Sequence, residues 1–275
     1  MPQAEEPLPL RHAVALGLIQ GPAELLPISS SAHTSLVPWL LGWPYAQLEG
    51  KSRKSFEVAL HAGAALALAV AMRHELALAA RALDRRGAFV LGLSLAPAAL
   101  VGYVLRGPIE RRLGGPGSIS AGLTAGAIAM TLADANGQRR GRAEADARDG
   151  LALGLAQAAA LIPGVSRHGA TLTAARSRGF APAGAEALSW ETGLPVILAA
   201  VALEARRLRA GAAPGTRPAA LAAGGASAFA STLASAEVMR GRRVGGRALA
   251  PYAAYRMLLA GVVVLARGRR RRRER

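Results

Sequence analysis

The chain has 275 residues, of which 52% are hydrophobic but only 4% aromatic, and its formal net charge is +17. So few rings argue against a soluble core of this size, whereas an apolar mass of alanine, leucine, glycine and valine suits helices that approach closely in lipid. The charge is strung through short gaps between apolar stretches and stacking aromatics are scarce, which excludes a nucleic-acid-binding module, and the absence of cysteine excludes disulfides, thiolate catalysis and cysteine-held metal.

The N-terminal MPQAEEPLPL is acidic and proline-bearing, without the basic start and cleavage site of a signal peptide, so insertion is expected through the spans themselves. The first apolar stretch, 13–43, is interrupted by Gln20, Glu24, Pro27, Ser29, Ser30, Ser31 and His33. A proline followed by hydroxyl residues breaks a helix and leaves backbone groups unpaired, which lipid tolerates only where protein or a polar cavity surrounds them. This segment is therefore predicted to be re-entrant. Spans follow at about 56–72, 88–105 and 117–135, each near the length that crosses a hydrocarbon core. A second interrupted stretch, 150–175, carries Pro163, Gly164, Ser166, Arg167 and His168 and is read in the same way. Further spans lie at about 187–204, 219–239 and 248–266, ahead of a basic tail at 267–275.

The chain repeats itself. Ala15-Leu16-Gly17-Leu18-Ile19-Gln20 recurs as Ala152-Leu153-Gly154-Leu155-Ala156-Gln157, and Ser55-Phe56-Glu57 recurs as Ser189-Trp190-Glu191. Each half, about 11–135 and 150–266, holds one re-entrant pair and three spans, and an odd number of crossings turns the second half over. The expected fold is all-α integral membrane, a single domain over 1–275 with an inverted-topology repeat of six transmembrane helices plus two re-entrant helix pairs. In such folds the broken segments meet near the midplane, where half-helix N-termini favour anions. Orientation stays open, because the tail favours one choice and the arginines at 73–86, 136–149, 176–178 and 240–247 favour the other.

Gln20 and Glu24 are four apart and share a helix face. Glu24 is a candidate cation ligand or proton acceptor, with Gln20 supplying an uncharged oxygen to the same ion. Ser29, Ser30 and Ser31 offer hydroxyls to phosphate oxygens, and His33 offers a nucleophile or general acid and base; the plain alternative is that the serines cap a helix. Arg167 needs an anionic partner, and its planar fork matches a phosphate; the competing reading is a structural ion pair with Glu24. Gly164 and Gly169 let backbone approach a ligand. Glu57 and Glu191 are read as helix-start acids, His61 as satisfied structure, Arg256 as snorkelling or paired with a carboxylate, and Arg269 to Arg273 as solvated or headgroup charges.

Together these segments resemble the undecaprenyl-pyrophosphate phosphatase family of bacterial membranes, also called the bacitracin-resistance family. Gln20, Glu24, Pro27, Ser29, Ser30 and His33 match its first signature, and Pro163, Gly164, Ser166, Arg167, Gly169, Ala170 and Thr171 its second. The likeness continues through Lys54-Ser55-Phe56-Glu57-Val58, Ser94 to Pro97, Leu194-Pro195 and Tyr255-Arg256. It implies a multi-pass protein of the bacterial plasma membrane that hydrolyses undecaprenyl pyrophosphate to undecaprenyl phosphate and inorganic phosphate, recycling the carrier for cell-wall synthesis, with Mg²⁺ or Ca²⁺ required. It further implies Gln20 and Glu24 at the metal, Ser30 or His33 attacking phosphorus, Arg167 steadying the phosphoryl group, and Ser29, Ser31, Gly164, Ser166 and Thr171 around the phosphate. This sequence departs from the family pattern at His168, which stands in place of a serine, and takes the uncharged option at Gln20. The implied partners are a polyprenyl diphosphate lipid and membrane lipids, with a homodimer allowed and nucleic acid excluded. A transporter or flippase of a polyprenyl phosphate is the second reading, which accounts for the architecture but not for Glu24, Ser30 and His33 sharing one break.

Overall fold

The computed structural model describes residues 8–48, 50–134, 139–210, 218–240 and 248–273, and among them the secondary structure is helical, with no strand beyond an isolated bridge between Arg140 and Phe180. Helices α1 (Leu10–Leu25) and α2 (Ser30–Leu41) form the first broken pair, followed by α3 (Gly50–Ala71), the short α4 (Arg73–Arg81), α5 (Arg85–Leu113) and α6 (Pro116–Asp134). A second broken pair, α7 (Ala147–Ala159) and α8 (Arg167–Ser177), precedes α9 (Pro182–Ala210), α10 (Pro218–Arg240) and α11 (Ala250–Arg273).

The helix boundaries follow from local chemistry. Leu26, which precedes Pro27, is extended at φ −86°, ψ 149°, as the clash of a proline ring with the preceding residue requires, and α1 stops there. Helix α7 starts in a reciprocal capping box, in which Asp146 accepts from the Asp149 amide and Asp149 accepts from the Asp146 amide. Asp149 also takes hydrogen bonds from Arg140 at 2.6 Å and Arg178 at 2.7 Å. One carboxylate thus ties the entry to α7 to the turn after α8. Burial pushes this carboxyl up, but the Arg140 and Arg178 hydrogen bonds outweigh it and hold Asp149 down at about 2.

Among the described residues, five helices are long and apolar enough to cross a membrane: Gly50–Ala71, Arg85–Leu105, Pro116–Asp134, Pro182–Arg206 and Pro218–Met239. The sixth expected span falls on α11, which has 24 residues but carries Arg256 in its interior and an arginine run at its end. Large apolar side chains face outward while several polar ones are buried among the helices. Leu100, Leu132 and Leu258 are 66 to 68% exposed, whereas Gln20, Ser94, Thr171, Ser189 and Arg256 are fully buried. In water such an exterior would be an aggregating surface; against acyl chains it is the favourable one.

Helix packing respects the repeat. Helix α10 packs on α1 and α3, and α5 packs correspondingly on α7 and α9, so each half wraps a helix around the other half's broken pair. Helices α3 and α9 pack together, as do α6 and α11. One apolar cluster, Leu25, Ala65, Leu68, Trp190, Leu194 and Ile197, is drawn from both halves.

Candidate active site

The two breaks end in the same unusual residue. Ser29 and Ser166, the N-caps of α2 and α8, have φ of 76° and 61°, the only positive values at non-glycine positions among the described residues. A left-handed serine costs free energy, and strain of this kind persists where the surroundings over-determine it. Each side chain caps its helix, Ser29 accepting from the Ala32 amide and Ser166 from the Gly169 amide. The capping alternative therefore holds for these residues, and what the strain achieves is the aim of the following residue.

That residue is Ser30 in one half and Arg167 in the other, each the first of its helix, and both reach Glu24. The Ser30 hydroxyl donates to Glu24 Oε2 at 2.6 Å, and Arg167 Nη2 lies 3.3 Å from Glu24 Oε1. The N-termini of α2 and α8 thus converge on one carboxylate from α1, and their partial positive charges favour an anion there. The competing reading of Arg167, an ion pair with Glu24, is realised in this structure. It uses only part of the guanidinium. Arg167 Nη1 is buried without a protein partner, and a side chain on Gly193 of α9 would come within 2.1 Å of it, so that glycine makes the room. A buried donor without an acceptor is costly, and a phosphate oxygen would satisfy it.

His33 lies one turn along α2, nearly buried, with both ring nitrogens engaged. Nδ1 donates to the Ser29 carbonyl at 2.7 Å, which leaves Nε2 to accept from the Tyr255 hydroxyl of α11 at 2.7 Å. The two rings stack 5.6 Å apart. Tyr255 entered the sequence reading only as part of a matched pair; nothing in the local sequence indicates that it crosses to α2.

Arg256 differs from its expectation. It neither snorkels nor meets a carboxylate: it is fully buried and donates to the carbonyls of Pro27 in the first break, Gly164 and Val165 in the second, and Gly122 and Leu123 of α6, at 2.9 to 3.3 Å. The Pro27, Gly164 and Val165 carbonyls are acceptors that a broken helix leaves unpaired, and one planar five-donor group serves both breaks at once. Gly126 on α6 permits the approach, since a side chain there would lie 2.0 Å from the guanidinium.

The other candidates divide. Gln20 donates to Glu24 Oε2 at 3.3 Å, while its own Oε1 is buried without a partner. Ser31 contacts Ser29 Oγ at 3.2 Å and keeps a partly exposed hydroxyl. Thr171 faces away, bonded to the Arg167 and His168 carbonyls and, at 2.5 Å, to Ser189 of α9. The close approach that Gly164 provides is to α6, because a side chain there would meet the Ile119 carbonyl at 2.3 Å. His168 accepts a structural environment, with Nδ1 2.8 Å from Ser189 Oγ and its ring stacked on Trp190. Glu57 pairs with Lys54 and Arg53 one helical turn away, and Glu191 pairs with Arg142.

The donor set fits a divalent cation only in company. No group of three or more His, Cys, Asp or Glu occurs among the described residues, yet the partnerless Gln20 Oε1 and the Glu24 carboxylate are two oxygens on one helix face. A hard cation commonly takes one carboxylate from the protein and completes its shell with water and substrate phosphate.

Comparison with known proteins is consistent along the whole chain. The family model of bacitracin resistance protein BacA matches residues 13–262. The undecaprenyl-diphosphatase of Geobacter sulfurreducens is 38% identical over 268 residues, covering 93% of this chain and 97% of that protein. That of Pelobacter propionicus is 39% identical over 269 residues, covering 93% and 96%. That of Chromohalobacter salexigens is 35% identical over 271 residues, covering 92% and 97%.

Proposed function

The chain belongs to the bacitracin resistance protein BacA family, and from that premise we propose that it hydrolyses undecaprenyl diphosphate to undecaprenyl phosphate and inorganic phosphate, returning the lipid carrier to cell-wall synthesis. The observation that carries the reading is Glu24 accepting from Ser30 of one break while meeting Arg167 of the other. A carboxylate placed to take a proton, a hydroxyl placed to lose one and a guanidinium with a spare donor are what transfer of a phosphoryl group requires.

In the proposed reaction Glu24 removes the Ser30 proton as Ser30 Oγ forms a bond to the terminal phosphorus. The bond from that phosphorus to the bridging oxygen breaks, and the electron pair leaves with undecaprenyl phosphate. Charge on the transferring group is met by Arg167 and by the amides at the starts of α2 and α8. Water then attacks the phosphorus of the phosphoserine, the bond from phosphorus to Ser30 Oγ breaks, Glu24 returns its proton to Ser30 Oγ, and inorganic phosphate departs with both protons of the water. Ser30 is preferred to His33 as nucleophile because Ser30 already contacts the base, whereas His33 Nε2 is held by Tyr255. A Mg²⁺ or Ca²⁺ ion would be held by Gln20 Oε1 and Glu24 together with the diphosphate, and would neutralise the charge the lipid brings.

We further propose that α1–α2 and α7–α8 are re-entrant pairs, that α11 completes six spans with α3, α5, α6, α9 and α10, and that the halves are inverted in a plasma membrane. The exchange of α5 and α10 between halves supports this arrangement. The same architecture keeps polyprenyl-phosphate transport as the second reading. Detergent-purified protein given a long-chain prenyl diphosphate distinguishes them: phosphate release that stops with chelator is expected, and lipid binding without release in any divalent cation would remove the enzyme reading.

A further inference from the structure

Helices α2 and α11 meet through His33 and Tyr255 at the active site and through Trp39 and Arg270 farther along, where a cavity of about 330 Å³ lies beside them. Its floor is apolar, formed by Leu40, Val262, Leu265 and Ala266, and its rim is cationic, formed by Arg269, Arg270 and Arg273. Arg270 is fixed in place, its guanidinium 4.4 Å above the Trp39 ring and donating to the Trp39 carbonyl at 2.7 Å. Arg267, one turn earlier, packs over Gly117 of α6. Among the described residues, no carboxylate lines the cavity.

We propose that this notch binds the headgroup phosphate of an anionic phospholipid, with the acyl chain lying along the exposed apolar face of α11. Three independent features point to that occupant. The arginines recur at helical spacing on one side of α11, so their charges add at one point where an anion would otherwise be absent. The floor residues Val262 and Leu265 are exposed, as is Leu258 on the same helix, which offers an acyl chain an apolar track rather than a small soluble ion a closed pocket. Trp39 lies at the level of the arginines, as ring side chains do at a headgroup boundary. Basic notches between helices at a membrane surface are a recognised way to select anionic headgroups. Helix α2 runs from this notch to Ser30, so a lipid seated here would steady the element that carries the nucleophile.

The test uses full-length purified protein and reads retained lipid, which is independent of catalytic activity. Wild type is delipidated, exposed to phosphatidylglycerol or phosphatidylcholine, and examined by native mass spectrometry. Phosphatidylglycerol is expected to be retained preferentially, and the R269A/R273A variant, which spares the Arg270 to Trp39 contact, is expected to bind it on the order of 10- to 30-fold more weakly. The R81A/R85A variant removes the same charge from the end of α4 and the start of α5 and is expected to behave as wild type. Equal retention by R269A/R273A and wild type would overturn the proposal, as would equal loss in R81A/R85A. Displacement of the lipid by an equimolar amount of inorganic phosphate would also overturn it, because the notch would then recognise the ion and not the lipid.

Discussion

Glu24 receives Ser30 on one oxygen and Arg167 on the other, so in the proposed reaction its charge has two jobs, drawing the serine proton and anchoring the arginine. Glu24→Gln keeps the shape but abolishes the base, and a loss of about 10² to 10⁴ in kcat is expected from phosphate release, with the protein still eluting as a folded species. Ser30→Ala should fall as far and fail to label when phosphoserine is trapped by acid quench; retention of a normal rate would transfer the role of nucleophile elsewhere. Arg167→Lys is not conservative here, because a single ammonium cannot keep Glu24 and also offer a second donor. Tyr255→Phe removes one hydroxyl from a nearly buried histidine, and about a tenfold fall in kcat with little change in thermal stability is expected, since a hydrogen bond in such a place contributes on the order of 1 kcal/mol.

At the scale of elements, the two breaks are held open by strained caps and closed by a shared arginine. Ser166→Gly should leave the thermal midpoint unchanged or slightly raised, because glycine adopts a φ of 61° freely and the lost cap costs a few tenths of a kcal/mol. Ser166→Val should lower it, by about 1 to 3 kcal/mol in stability. Arg256→Met strands carbonyls of both breaks, and loss of activity together with a lower midpoint is expected, although Arg256 touches neither Ser30 nor Glu24 in the hydrogen-bond network. The entry to α7 sets a pH limit. Asp149 is held near 2 when folded against an ordinary 3.8, so its contribution of up to about 2 kcal/mol is complete above pH 4 and drains away as pH falls towards 2. Asp149→Asn should flatten that part of the acid-unfolding curve.

At the scale of the molecule, each half supplies a helix to the other, α10 to α1 and α3, and α5 to α7 and α9. A half expressed alone leaves its broken pair uncovered, and unpaired backbone in lipid costs several kcal/mol per group. Residues 1–138 alone are therefore expected to be degraded in cells, and co-expression with residues 139–275 is expected to restore a stable, active complex.

The sequence by itself determined the helical class, the membrane setting and both breaks, and it singled out Glu24, Ser30 and Arg167, although the contact of Glu24 with Arg167 stood there only as the competing reading and its contact with Ser30 came from the fold. It did so because a proline with hydroxyls, a lone carboxylate or a lone arginine in an apolar run has few tolerable environments. It also marked Ser29 and Ser166, though as ligands, and only their backbone showed them to be strained caps. Tertiary structure alone decided what Tyr255 and Arg256 do, turned Thr171 and Gly164 away from the site, and opened the notch between α2 and α11. The reason is distance along the chain: Tyr255 lies 222 residues from His33 and Arg256 lies 229 from Pro27, so no local period or spacing encodes contacts that exist only after the two halves close on each other.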